Sequence, residues 1–446
     1  MKHTNHTSKI DPNLKPGVWI KREQECIAPV GRKRPVVLKA KGIELMDIEG
    51  KIYLDFTGGA HVCIVGYSHP EIIRATKKQM DELDFVAHWI GINPTRIQLA
   101  EKLKEIAPGN LKKGKVSYCN TGSDATEFSI KLARYNTRRP ALFTCLGGYY
   151  GGTIGALSLT VDDANLRKYY SPLLPGVIPV PYANCYRCPF GQEYPGCSLL
   201  CVSYIEHLLD TVVQPEEVAA IFVEPIQNHG GVIIPPIEYL RKLREMCSEH
   251  GILLIDDEVV MAFGRTGKMF GIEHFGVEPD VMYFGKPFGV GLPLGAILAR
   301  RDLMENWYGG ASTLAAPPLA CVRALTMINI VQREKLANNA TRVGEHIVKR
   351  LREIAEVHPL IGDVRGKGLI IGIELVKDHK TKEPAQEEAK NIRESAYKRG
   401  LLIGTSGPYK NVLKLSPPLI MTEEQADAGL DILESSLKEI TASLLK

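Results

Sequence analysis

Two kinds of apolar patterning divide the chain. From about residue 70 to 320, short unbroken apolar runs alternate with stretches of helical periodicity. The runs are 115-KVSYC-119, 141-ALFTC-145, 219-AAIFVEP-225, 252-ILLIDD-257 and 281-VMYF-284; the helical stretches include 96-RIQLAEKLKEIA-107, one opening at Asp124, and 237–249. Strands that lack polar alternation are buried on both faces, so the pattern predicts a mainly parallel sheet with helices on either side, a doubly wound α/β architecture. Residues 37–56 differ: they alternate apolar and polar positions around Lys41-Gly42 and Glu49-Gly50, which predicts short antiparallel strands. After a helical stretch at 320–334, helices at 340–357, 385–399 and 422–444 interleave with strands at 369–375, 401–404 and 412–416, the pattern of a smaller α+β domain. The expected organisation is an N-terminal segment, 1–64, joining the small domain, a large domain over 65–325 and a small C-terminal domain over 326–446. There is no internal repeat.

Charge narrows the function. Lys and Arg total 55 against 51 Asp and Glu, a net +4 spread along the 446 residues, which gives no footprint for nucleic acid or an anionic membrane. No segment reaches about 18 uninterrupted apolar residues and the N-terminus is polar, so a soluble, cytoplasmic enzyme of small molecules is expected. Most of the ten cysteines sit inside apolar runs and read as reduced core residues. The exception is 182-YANCYRCPFGQEYPGCSLLC-201, where Cys185, Cys188, Cys197 and Cys201 have a spacing compatible with tetrahedral zinc.

The ends of the predicted strands carry the chemistry, because ligands in such sheets bind beyond the carboxyl ends. Asn120-Thr121-Gly122-Ser123 opens a helix, a place where backbone N–H groups meet a phosphate. Gly147-Gly148-Tyr149-Tyr150-Gly151-Gly152 supplies aromatics for stacking on a flat ring. Glu224, the acids Asp256-Asp257-Glu258 and the lone Lys286 follow three further runs. Buried charges are costly unless in use, and a phosphate cradle, an aromatic platform, an acid and an amine are what pyridoxal phosphate requires.

The block 252–297 resembles class III aminotransferases, fold-type I pyridoxal-phosphate enzymes. The likeness extends to 44-ELMDIEGKIYLDF-56, 120-NTGSDATEFSIKLAR-134, 224-EPIQ-227, 312-STLAAPPLAC-321 and 359-PLIGDVRGKGLIIGIEL-375. The resemblance implies that Lys286 is the Schiff-base lysine, that Asp257 pairs with the pyridine nitrogen, and that Val259 and Tyr149 cover the two ring faces. It further implies that Gly122 and Ser123 bind the phosphate, that Glu224 orders the pocket, and that Thr313 reaches the phosphate of a neighbouring subunit in a homodimer or dimer of dimers.

The chain also departs from that family's pattern. Val260 stands where a Gln is usual and Tyr150 where a His is usual; Asn228-His229 and Lys414 replace a glutamate and the arginine it gates, whose guanidinium fork grips 2-oxoglutarate. The expected activity is amino transfer from an amino acid or amine to a small keto acid, pyruvate before 2-oxoglutarate. Residues His61, Cys63, Trp89, His229 and Lys414 are the candidate substrate contacts. The second reading is an amino-acid racemase or epimerase, a branch the C-terminal domain resembles. There Lys286 and His229 are the two bases, His229 occupying the position of an aspartate base in that branch. Because similar cysteine runs occur in relatives not regarded as metalloproteins, no metal is assigned.

Overall fold

The computed structural model describes residues 15–29 and 34–444; the polar N-terminal stretch noted above lies outside them in part. Seven strands form the central sheet: β1 (Lys115–Cys119), β2 (Ala141–Cys145), β3 (Val177–Val180), β4 (Val218–Val223), β5 (Leu253–Asp257), β6 (Val281–Phe284) and β7 (Gly295–Ala299). Their order across the sheet is β1-β7-β6-β5-β4-β2-β3, and all neighbours are parallel except those of β7, which runs antiparallel to both β1 and β6. Strands β2 and β4 to β7 are buried along their whole length, which explains why they read as continuous apolar runs.

Two antiparallel units flank this sheet. Strands Val37–Lys41, Glu44–Asp47 and Ile52–Asp55 form a meander whose last member pairs in parallel with Leu401–Leu402. Strands Ile361–Lys367, Ile370–Leu375, Gly404–Ser406 and Val412–Leu415 form the third sheet. Several elements escape the periodicity: the Pro70–Glu82 and Leu200–Thr211 helices and strands β3, β7 and Ile361–Lys367. The last of these is broken by Gly362, Gly366 and charged residues, and β3 holds Pro179, tolerable because β3 is an edge strand. Among the described residues no helix is long and apolar enough to cross a membrane.

Candidate functional site

Parallel strands point their carboxyl ends the same way, and three adjacent ones deliver ionisable groups to one cavity of about 170 Å³. Glu224 follows β4, Asp257 ends β5, and Lys286 follows β6 after Gly285. Both oxygens of Asp257 are satisfied: the Val259 N–H donates to one at 2.8 Å and the Tyr283 hydroxyl to the other at 2.7 Å. Burial nevertheless pushes its carboxyl up to about 6, with those donors and Lys286 pulling the other way. Glu224 accepts from the Tyr149 N–H at 3.1 Å and the Asn228 N–H at 2.9 Å, fastening two loops together, and burial followed by the Asp257 charge pushes it up to about 8.

Lys286 sits against these acids with its amine lowered from the ordinary lysine range by burial. Its backbone is in the left-handed region at φ 38°, a strained setting for a side-chain-bearing residue and a mark of a site that needs it there. Opposite, Thr121 caps the Gly122–Thr137 helix by accepting from the Asp124 N–H, leaving the N–H groups of Gly122 and Ser123 at the rim. Space is tight: a Cβ on Gly285 would lie 2.9 Å from the Gly122 nitrogen, and one on Gly122 would lie 3.0 Å from Val259. Only glycine lets the β6 loop and the helix start approach this closely.

Asp256 and Glu258 alternate with Asp257 and are turned away from the cavity. Both are fully buried. Burial, then Glu258 and Asp257, raises Asp256 well above the carboxylate range, and burial pushes Glu258 up to about 8 although the Ile272 N–H donates to it at 2.9 Å.

The far wall is built from distant segments. The His229 ring stacks on Tyr149 with centroids 4.2 Å apart and planes 14° from parallel, and its Nδ1 lies 3.3 Å from Asp162 Oδ2. Burial pushes His229 down to about 4 against the pull of Asp162, with Lys414 and Lys286 adding to the descent. Lys414 donates to Asn228 Oδ1 at 3.0 Å. His61 is buried, and burial, then Lys414 and Lys286, lowers it well below its ordinary value. It closes a left-handed turn, Gly58 to His61, with every φ between 57° and 71°.

The structure therefore gathers Gly122, Ser123, Tyr149, Glu224, His229, Asp257, Val259 and Lys286 around one cavity, with His61 and Lys414 beside it. Three expected residues are elsewhere. Trp89 is 55% exposed, edge-on to His88. Cys63 packs behind the His61 turn, where burial and then Asp55 push its thiol up to about 11 and Tyr67 adjoins it. Thr313 lies in an exposed stretch tethered at Ser312 by Asn120. The four cysteines of the 182–201 segment are free thiols lining a separate small cavity, and among the described residues no group of three or more His, Cys, Asp or Glu is arranged to hold a metal ion. Asp162 and Tyr283, which face His229 and Asp257, were not legible beforehand: Asp162 stands in no pattern, and Tyr283 reads only as one apolar residue of the run 281-VMYF-284.

The family described as Aminotransferase class-III matches residues 28–437. A leucine/methionine racemase of Thermococcus litoralis is 41% identical over 95% of this chain and 94% of its own length, and an alanine/serine racemase of Pyrococcus horikoshii is 36% identical over 94% and 90%. Among solved structures, an aminotransferase of Bacillus anthracis superposes with a TM-score of 0.88 at 31% identity, covering 95% of this chain and 98% of that one. Match and superposition both run through the strand ends that converge on Lys286, and the chain accordingly belongs to the class-III aminotransferase family of fold-type I, pyridoxal-phosphate-dependent enzymes.

Proposed function

We propose that the chain is an α-amino-acid racemase or epimerase whose two bases are the Lys286 amine and the His229 imidazole. The observation that carries this reading is the placement of a neutral, proton-accepting imidazole in the wall of the Lys286 cavity, held flat on Tyr149. Racemisation needs one group to take the Cα proton from one face and another to return a proton from the opposite face. The sequence ranked amino transfer first; the order is reversed here because the partner and platform of His229 appear only in three dimensions.

The residues fit the cofactor. The close approach of Gly122 and Gly285 leaves room for a phosphate against the helix N-terminus, where the Gly122 and Ser123 N–H groups would hold it. Asp257 would meet the pyridine nitrogen, with Tyr149 and Val259 on the ring faces, and Lys286 would carry the cofactor's aldehyde carbon. When bound, the cofactor supplies a cationic conjugated ring that accepts electron density from Cα. Tyr283 and the Val259 N–H keep Asp257 ionised and oriented despite its burial. Glu224 ties the Tyr149 loop to the Asn228-His229 loop, so ring platform and second base move as one.

Substrate recognition falls to Lys414. With Asn228 where a second carboxylate would gate an arginine, the cavity is flanked by the Lys414 ammonium in place of a guanidinium, suited to the α-carboxylate of a monocarboxylic amino acid and not to the bidentate grip on 2-oxoglutarate. Trp89 and Thr313, exposed here, would serve a neighbouring subunit's cavity in a homodimer or dimer of dimers. The second reading, amino transfer to pyruvate or another small keto acid, is favoured by the likeness to the Bacillus anthracis aminotransferase and requires Lys286 alone as base.

The test mixes the holoenzyme with single-enantiomer amino acids in deuterated water without keto acid, following products on a chiral column and the cofactor's absorbance. Many turnovers of the opposite enantiomer, deuterated at Cα, with the cofactor spectrum retained, are expected. One equivalent of keto acid with conversion of the cofactor to its amine form would instead establish amino transfer.

A further inference from the structure

Asp162 lies 67 residues before His229 in the chain and belongs to no motif, yet it is the one acidic group in contact with that imidazole among the described residues. Its carboxylate is almost wholly buried, with Oδ2 on His229 Nδ1 and Oδ1 without a hydrogen-bond partner. A buried carboxylate with one oxygen unpaired is expensive. Its presence beside a cavity-lining histidine points to a task that the 3.3 Å contact with the ring performs.

The surroundings make the pair rigid. Val161, the preceding residue, exchanges two backbone hydrogen bonds with the glycines of the Tyr149 loop: the Gly147 N–H donates to Val161 O and the Val161 N–H to Gly148 O. The following residue, Asp163, pairs with Lys410 at 2.8 Å. The carbonyl of His229 accepts from the Gly407 N–H at 2.8 Å. Acid, platform and imidazole are thus pinned to the same two loops. Tyr149 fixes the plane of the ring, and Asp162 fixes its rotation in that plane.

A neutral imidazole has two tautomers, and the hydrogen bond at one nitrogen selects between them. A carboxylate can only accept, so it holds the proton on Nδ1 and leaves the lone pair on Nε2. We propose that Asp162 is the positioning residue of the second base: it sets His229 in the tautomer whose Nε2 accepts the substrate's Cα proton. This rests on the reading of His229 as a base. In one direction His229 Nε2 takes the Cα proton on its face while the Lys286 ammonium delivers one on the other; in the reverse direction the amine takes and the imidazolium delivers. Each passage leaves the pair one proton out of register, and exchange with water restores it. Asp162 serves both directions, since its charge also stabilises the imidazolium once formed. The Lys286 and Lys414 charges oppose the imidazolium, and Asp162, the acid in contact with the ring, offsets them.

The experiment uses holoenzyme labelled with 15N-histidine, the His229 signals being assigned by their loss in His229→Gln. In the wild type, shifts of a protonated Nδ1 and an unprotonated Nε2 are expected near neutral pH. In Asp162→Asn the amide can donate to Nδ1, so the proton moves to Nε2 and the two shifts exchange. Asp162→Ala gives the averaged shifts of a mixture, and Asp162→Glu restores the wild-type pattern in part. In parallel, Asp162→Asn lowers kcat for inversion by about 100-fold with KM within about threefold, whereas deuterium exchange at Cα without inversion, driven from the Lys286 face, persists. A His229 tautomer that ignores all three substitutions overturns the inference whatever the reaction. An intact tautomer switch in a wild type that transaminates and never inverts overturns the racemase reading alone and leaves the hold of Asp162 on His229 standing.

Discussion

The two walls of the cavity are built on different principles. On the cofactor wall, Glu224, Asp257 and Lys286 sit within two residues of the ends of adjacent strands, and Gly122 and Ser123 open the helix after β1. Their positions follow from the sheet itself, so a change of neighbour elsewhere barely moves them. On the substrate wall, His61, Asp162, His229 and Lys414 come from four segments that meet only through loop contacts and through the pairing of Val412–Leu415 in the third sheet. The first wall follows from the sheet and the second from loop contacts. On the proposed reading, cofactor chemistry belongs to the one, and the choice of substrate and reaction to the other.

Substitutions separate the walls by the kind of loss they cause. The largest is expected for Lys286→Ala, which removes amine and covalent anchor together: kcat falls at least about 10³-fold for every substrate and for both reaction types. Absorbance of the bound cofactor and turnover measure it, and a variant that kept amino transfer while losing inversion would break the assignment of Lys286 to both. Lys414→Met is the counterpart on the other wall. Loss of one charged hydrogen bond to the substrate carboxylate raises KM about 10- to 100-fold with kcat changed little. Equal loss in kcat would place Lys414 in the chemistry and erase the division.

How much was legible follows the same division. The runs 252–257 and 281–284 announced buried strands because their apolar residues are continuous, and the charged residues at their ends stood out as costs needing a reason. Burial of Asp257 and Lys286 on one cavity is that reason. By contrast His61, Cys63 and Trp89 were equal candidates from sequence. His61 comes to lie beside the cavity through four consecutive residues with positive φ, a turn no periodicity encodes, and that turn hides Cys63 behind itself. Asp162 sits in 160-TVDD-163, where nothing distinguishes it from Asp163; one faces His229 and the other Lys410.

A middle-sized effect is expected where the cofactor wall is tightest. Gly285→Ala puts a methyl 2.9 Å from the Gly122 nitrogen, a backbone atom that cannot rotate aside. The helix N-terminus must retreat, costing about 1–3 kcal/mol of stability and weakening cofactor retention, measured by equilibrium dialysis. Retention equal to wild type would mean that the cradle tolerates displacement and is less dictated by the sheet than its position implies.

The smallest effect lies behind that wall and depends on pH. Glu258 is pushed up to about 8 by burial, so the folded protein keeps its proton well above about 4.3, where an unfolded glutamate loses it. Between those values the folded state binds more protons than the unfolded one, and stability falls as pH rises. Glu258→Gln keeps an acceptor for the Ile272 N–H and removes the titration. The variant should match wild type near pH 4 and gain on it steadily as pH rises toward 8, seen as a higher thermal midpoint at the upper pH. Parallel pH profiles for the two proteins would mean that Asp256, raised by the same burial and by the Glu258 charge, carries the titration instead; Asp256→Asn would then be the variant with the flattened profile.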